Sequence, residues 1–238
     1  LFSITINAQT VPAGENISLD QQLSNISQTS VTSGIIYERV IPQSNLYNFN
    51  KVNTFNTSNF PYFKQAFSEM RRASNNTKFI SLDAFKDMVG LNTTSNEVDV
   101  AILNSQFSIL NYNEDKPSAG GLTYNTSTSK FVAISGKVPF YMLHNTVIAP
   151  AKDHVSGANV VYKLRNDLYF KNGTKTIKTV VADFGDGINR TILSNSILTN
   201  QNITINYTSS GEKISKFVIT YGDNTTMTTY GKIYFNYN

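Results

Sequence analysis

The stretch Thr179-Val180-Val181-Ala182-Asp183-Phe184-Gly185-Asp186-Gly187 decides how the second half of the chain is read. Val180, Ala182 and Phe184 alternate with Val181 and Asp183, the period-two pattern of a strand with one face inward. Asp186-Gly187 then supplies the positive φ that a tight hairpin requires, because glycine has no Cβ to clash there. Downstream, Ile203 and Ile205 lead to Tyr207, and Ser209-Ser210-Gly211 turns the chain. Phe217, Ile219 and Tyr221 alternate next, Gly222-Asp223-Asn224 makes another turn, and Ile233 and Phe235 mark a last apolar stretch. Short strands punctuated by turns predict an antiparallel sandwich. Ile214 is out of phase with Phe217, Ile219 and Tyr221, which predicts a bulge between them.

The run Ile177 … Asp183-Phe184-Gly185-Asp186-Gly187 … Tyr207-Thr208 … Gly211 … Phe217-Val218-Ile219-Thr220 resembles the PKD family of immunoglobulin-like domains. Its hallmark is a strand ending in Asp-Phe-Gly-Asp-Gly, followed by a Tyr-Thr…Gly corner and a long alternating strand. The resemblance covers residues 147–238, with Ala182 standing where the family usually has a large aromatic. It implies an extracellular, non-catalytic spacer or binding module.

Two kinds of site suggest themselves here. Asp183 and Asp186 are candidate calcium ligands, since a hard cation takes carboxylates and turn carbonyls. The alternative is that both carboxylates cap backbone N–H groups of the turn. Tyr162, Tyr169, Tyr221 and Tyr230 are candidates for stacking on sugar rings, if their faces are exposed rather than edging a β core.

The bulk properties exclude several classes. The 238 residues allow one large domain or two ordinary ones. Cysteine is absent, which removes disulfides, thiolate zinc sites and a cysteine nucleophile. The net charge is +4 and the pI about 9.1, yet the basic residues are scattered and only Arg71-Arg72 are adjacent. A nucleic-acid binder would gather them into a stripe with interleaved aromatics, so no nucleic-acid partner is expected. Asn-x-Ser/Thr triplets recur at Asn16, Asn25, Asn92, Asn172, Asn202 and Asn224. They are glycosylation acceptors in a eukaryotic secretory protein, or unmodified turn sequence elsewhere.

The first half mixes helix and strand. Leu1-Phe2-Ser3-Ile4-Thr5-Ile6-Asn7-Ala8 reads as the tail of a signal peptide, with Gln9 as the mature start; a first strand is the alternative. No apolar run approaches the ~20 residues that span a bilayer. Ile35 to Ile41 predicts a strand, closed by Pro42. Asn59 as N-cap, Pro61 in the first turn and the Phe63/Phe67/Met70 stripe predict a helix. Ser81, Leu82, Phe85, Val89 and Gly90 predict a second, shorter one. From Val98 the pattern returns to β, and Leu122–Tyr124 with Phe131–Ile134 reads as a hairpin. Ala149-Pro150-Ala151-Lys152-Asp153 is the expected linker.

Ile36-Tyr37-Glu38-Arg39-Val40-Ile41-Pro42 … Asn45-Leu46-Tyr47-Asn48-Phe49-Asn50, with the leader tail and the Phe63 helix, resembles the N-terminal parts of type IX-secreted surface proteins. This second resemblance spans residues 1–145. It implies the front end of a longer secreted chain, in some cases with a hydrolase domain following.

Catalytic signatures are few. No Gly-x-Ser-x-Gly elbow and no phosphate-binding glycine loop occurs. His144 and His154 flank the expected linker, and Glu38, Asp99 and Glu114 are the acids of the first part that could pair in space. The expected architecture is therefore an α+β N-terminal module followed by an all-β immunoglobulin/PKD-like sandwich. Its parts are a leader remnant 1–8, the α+β module 9–146 and the sandwich 147–238. The expected function is a secreted or surface spacer, adhesion or docking module without a catalytic residue or cofactor of its own. Its partners would be an extracellular protein, a polysaccharide or other domains of the same chain. The alternative is an accessory region of a secreted hydrolase.

Overall fold

The computed structural model describes residues 18–31, 33–35, 46, 49, 56–75, 79–90 and 94–238. Ser18 opens a short helix α1 (Leu19–Gln22): its hydroxyl accepts from the Gln21 N–H at 3.3 Å, and the Gln21 side chain accepts from the Ser18 N–H at 2.8 Å. This reciprocal box satisfies two donors that a helix start leaves open. Strand β1 (Thr57–Ser58) precedes α2 (Phe60–Ala73), where Asn59 Oδ1 accepts from Tyr62 N at 2.9 Å. Phe63, Ala66, Phe67 and Met70 form its buried stripe. In α3 (Leu82–Gly90), Ser81 Oγ accepts from Ala84 N at 3.0 Å, and Phe85 and Val89 are buried. Both helices stand where the capping residues predict them.

The strands follow as β2 (Glu97–Leu110), β3 (Leu122–Asn125), β4 (Lys130–Ala133), β5 (Phe140–Pro150), β6 (His154–Gly157) and β7 (Val160–Lys171). Then come β8 (Ile177–Asp183), β9 (Arg190–Ser194), β10 (Ile197–Leu198), β11 (Gln201–Ile205), β12 (Gly211–Tyr221) and β13 (Thr226–Tyr237).

Contacts divide the chain into two units. The smaller joins the described part of Leu1–Ser30 with Leu110–Tyr141. Its centre is the antiparallel β3–β4 hairpin, in which Phe131 is buried with the Tyr112 and Tyr124 rings against it at 5.3 and 5.1 Å. Asn125 Oδ1 holds the hairpin turn by accepting from Ser127 N and Thr128 N.

The larger unit comprises Val31–Ile109 and Met142–Asn238. It contains a seven-stranded sheet, β1-β13-β12-β8-β9-β10 with β6 also on β13, and a four-stranded sheet, β11-β7-β2-β5. Both are mixed: β1 and β6 run parallel to β13, and β2 runs parallel to β7, while the other registered pairs are antiparallel. Residues of both sheets and of α2 and α3 belong to one hydrophobic core. The helices seat on Phe170 of β7, whose ring meets Phe67 at 4.8 Å and Phe85 at 5.7 Å, both edge-on.

The boundary expected at residue 146 is not where the units part. β2, from the supposed first module, lies between β7 and β5, and Ala151 of the supposed linker donates to the Asp99 carbonyl at 2.7 Å. Parallel pairing joins strands that are remote in sequence, and no local turn announces it. β2 also runs without a break through the polar Asn104-Ser105, because its polar side chains are paired. Ser105 Oγ donates to Asn145 Oδ1 at 2.5 Å, and Asn172 bonds the Gln106 backbone through both amide atoms.

The alternation at Val180/Ala182/Phe184 is as expected: all three are fully buried. No bulge separates Ile214 from Phe217, since β12 keeps one register with β13. Ile214 faces outward, 49 % exposed, and Ser215 takes the inward position instead. The register shift of β12 against β8 falls at Thr220/Tyr221. The leader segment 1–8 and the strand from Ile36 to Ile41 lie outside the described residues. No helix among the described residues is long and apolar enough to cross a membrane.

Candidate functional site

An open groove of about 450 Å³ lies beside the Asp183–Gly187 turn. Gly185 and Asp186 come from the β8–β9 loop, Asn206, Tyr207 and Thr208 from the β11–β12 connection, and Glu212, Lys213 and Ile214 from the start of β12. The connection is fixed by Tyr207, whose hydroxyl donates to the Phe184 carbonyl and lies 2.9 Å from the Tyr162 hydroxyl. Burial pushes the Tyr207 phenol well above its ordinary range, with the Tyr162 hydroxyl adding to the rise, so it is a neutral structural donor. Gly185 has φ +87°, and a Cβ there would come within 3.1 Å of the Ile214 carbonyl, so glycine lets the two walls approach.

The acids of this turn are already engaged. Asp183 Oδ1 accepts from Gly185 N at 2.8 Å and Gly187 N at 3.0 Å, the N–H capping role. Asp186 accepts a two-pronged contact from Arg190, at 2.9 Å to Oδ1 and 2.6 Å to Oδ2. Those hydrogen bonds hold the Asp186 carboxyl below the usual aspartate range. Glu212 pairs with Lys232 at 2.9 Å. Among the described residues no group of three or more metal-ligating side chains is assembled. Asp186 Oδ1 also accepts from Ile188 N at 3.2 Å, so both carboxylates cap backbone N–H groups of the turn, the arrangement the alternative reading expects.

Three polar groups along the groove stay open. The side chains of Asn206 and Thr208 are exposed and make no hydrogen bond to a described residue. Lys213 Nζ sits 4.9 Å above the Tyr207 ring, and no described carboxylate lies within ion-pair distance of it.

The aromatic candidates separate. Tyr162 is fully buried, its ring 4.4 Å from Phe184, and Tyr221 is 3 % exposed with its hydroxyl 2.7 Å from Thr146 Oγ1. Neither can stack on a sugar. Tyr162 faces inward because it continues the inward set of β7, and Tyr221 that of β12. Tyr169 is half-buried against the core, while Tyr230 is half-buried on β13. The structure does not gather the four into one platform.

His144 and His154 are also apart in environment. His144 Nε2 lies 2.6 Å from Asn104 Oδ1, and its ring meets Tyr221 edge-on at 4.5 Å. Asn104 Nδ2 donates to the Lys175 carbonyl, which leaves Oδ1 as acceptor and puts the His144 proton on Nε2. Burial lowers the His144 pKa to about 4, with the Lys175 charge lowering it further and Asp223 opposing, so the ring is neutral at pH 7. His154 is exposed on β6 beside Tyr234.

Asp99 is the buried acid among the described residues of the chain's first half. Arg165 Nη1 reaches its Oδ2 at 3.2 Å, the Met88 carbonyl near the end of α3 at 3.0 Å, and Nη2 reaches Asp167 at 2.6 Å. Burial raises the Asp99 carboxyl against the opposing pull of Arg165, whereas the Thr94 N–H lowers that of neighbouring Glu97. Opposed pKa values on one strand resemble an acid–base pair. Asp99, however, is sealed beneath Arg165 with its side chain fully covered, and Glu97 is turned to Lys163 at 3.5 Å. This cluster fastens α3 to the sheet, and the guanidinium at a helix C-terminus matches its dipole. Glu114 is exposed and Glu38 lies outside the described residues.

Comparison of the chain with protein-family models, curated proteins and solved structures found no match in any of the three.

The meeting of Lys213 with Tyr207 was not legible in the sequence, because it depends on how Tyr207 is held against Phe184. The Tyr207-Thr208…Gly211 corner was the one signal that pointed there.

Proposed function

We propose that the larger unit is an immunoglobulin-like docking module of an extracellular or cell-surface protein, and that the groove beside Gly185 is its ligand-contacting surface. The strand arrangement supports the immunoglobulin-like reading: β6 is parallel to the last strand, β8-β12-β13 form one sheet, and β7 pairs with β11 in the other. One observation carries the docking role. The groove's acids, Asp186 and Glu212, are each held in an ion pair with a basic partner, Arg190 and Lys232. The neighbouring amide, hydroxyl and ammonium groups remain open for hydrogen bonding.

Native affinity electrophoresis in gels cast with soluble polysaccharides tests this. Retardation is expected in at least one polysaccharide gel and is expected to be lost in an Asn206→Ala/Thr208→Val variant of unchanged thermal midpoint. Migration unaffected by every polysaccharide would overturn the proposal.

A further inference from the structure

Resting on the docking function proposed above, we infer that the groove takes an acidic polysaccharide, with a sugar carboxylate on Lys213 and sugar hydroxyls on Asn206 and Thr208. The groove's charge pattern is what selects this class. Asp186 and Glu212 are paired with Arg190 and Lys232, which leaves the Lys213 ammonium as the cation at the groove without a described carboxylate partner. Its seat over the Tyr207 ring is held by the hydrogen bond from Tyr207 to Phe184, so the charge is positioned before a ligand arrives.

Asn206 and Thr208 add an amide and a hydroxyl that can both donate and accept, the complement of sugar hydroxyls. The paired carboxylates of Asp186 and Glu212 keep spare lone pairs for further hydroxyl donors. A nucleic acid fits the groove less well, because its aromatic ring, Tyr207, is buried beneath Lys213 and offers no open face on which a base could stack. The chain's net charge of +4 favours approach of a polyanion from a distance.

The test uses the full chain in affinity gels with polygalacturonate, alginate, dextran or no polymer, and single-stranded DNA as a competitor. Stronger retardation by polygalacturonate or alginate than by dextran is expected. Lys213→Gln should weaken the acidic-polymer affinity about tenfold and leave the thermal midpoint unchanged, while Lys213→Arg should retain most of it. Equal retardation by dextran and the acidic polymers, insensitive to Lys213→Gln, would overturn the acidic class and leave the docking function standing. Competition by DNA as effective as by the acidic polymer, per charge, would also overturn it, as a general polyanion preference. Retardation by no polymer would overturn both proposals together.

Discussion

The hydroxyl of Tyr207 donates to the backbone carbonyl of Phe184, 23 residues earlier in the chain. That bond joins the β11–β12 connection to the β8–β9 loop and sets both walls of the groove. Tyr207→Phe removes the donor and leaves the buried Tyr162 hydroxyl without its 2.9 Å partner. The expected loss is about 1–3 kcal/mol of unfolding free energy, read from urea denaturation. A change near zero would mean that the carbonyl finds another donor.

Gly185 carries φ +87° and faces the Ile214 carbonyl. Gly185→Ala imposes left-handed strain of about 1 kcal/mol or more and crowds the groove. Gly187, with φ +77° but open space around the Cβ position, should show the strain without the crowding. Gly185→Ala is therefore expected to be the more destabilising of the two in parallel urea titrations.

Arg165 is the cation that faces the covered Asp99 carboxylate. Arg165→Leu should cost about 3 kcal/mol at pH 7, because it strands a buried charge. Burial already raises the folded pKa of Asp99 above its unfolded value of 3.8, and losing Arg165 raises it further. A carboxyl raised in the fold loses stability as pH climbs from 3.8 through its folded pKa. The penalty of Arg165→Leu should accordingly be smaller at pH 4 than at pH 7, as denaturation at the two pH values would show.

His144 gives the opposite window. Its folded pKa of about 4 lies below the ordinary value of 6.5, so the unfolded chain takes up the proton first. Stability is unaffected by this group above 6.5 and falls as pH drops from 6.5 to 4, by roughly 3 kcal/mol in all. His144→Gln should flatten that part of the stability profile. An unchanged slope between pH 6.5 and 4 would assign the acid sensitivity to other groups.

Local chemistry determined much of the fold without tertiary information. Asn59 and Pro61 before the Phe63/Phe67/Met70 stripe set α2, and Ser81 set α3, since capping and helical periodicity act within a few residues. The inward set Val180, Ala182 and Phe184 and the N–H capping by Asp183 follow from strand alternation and the short reach of an aspartate. Alternation states which residues of a strand share a face, but neither which strand lies alongside nor what covers the other face. Only the tertiary structure placed β2 between β7 and β5, turned Tyr162 and Tyr221 into core residues, and set Ile214 outward without a bulge. It alone brought Lys213 over Tyr207, because that meeting depends on long-range packing, whose free energy is absent from any short stretch of sequence.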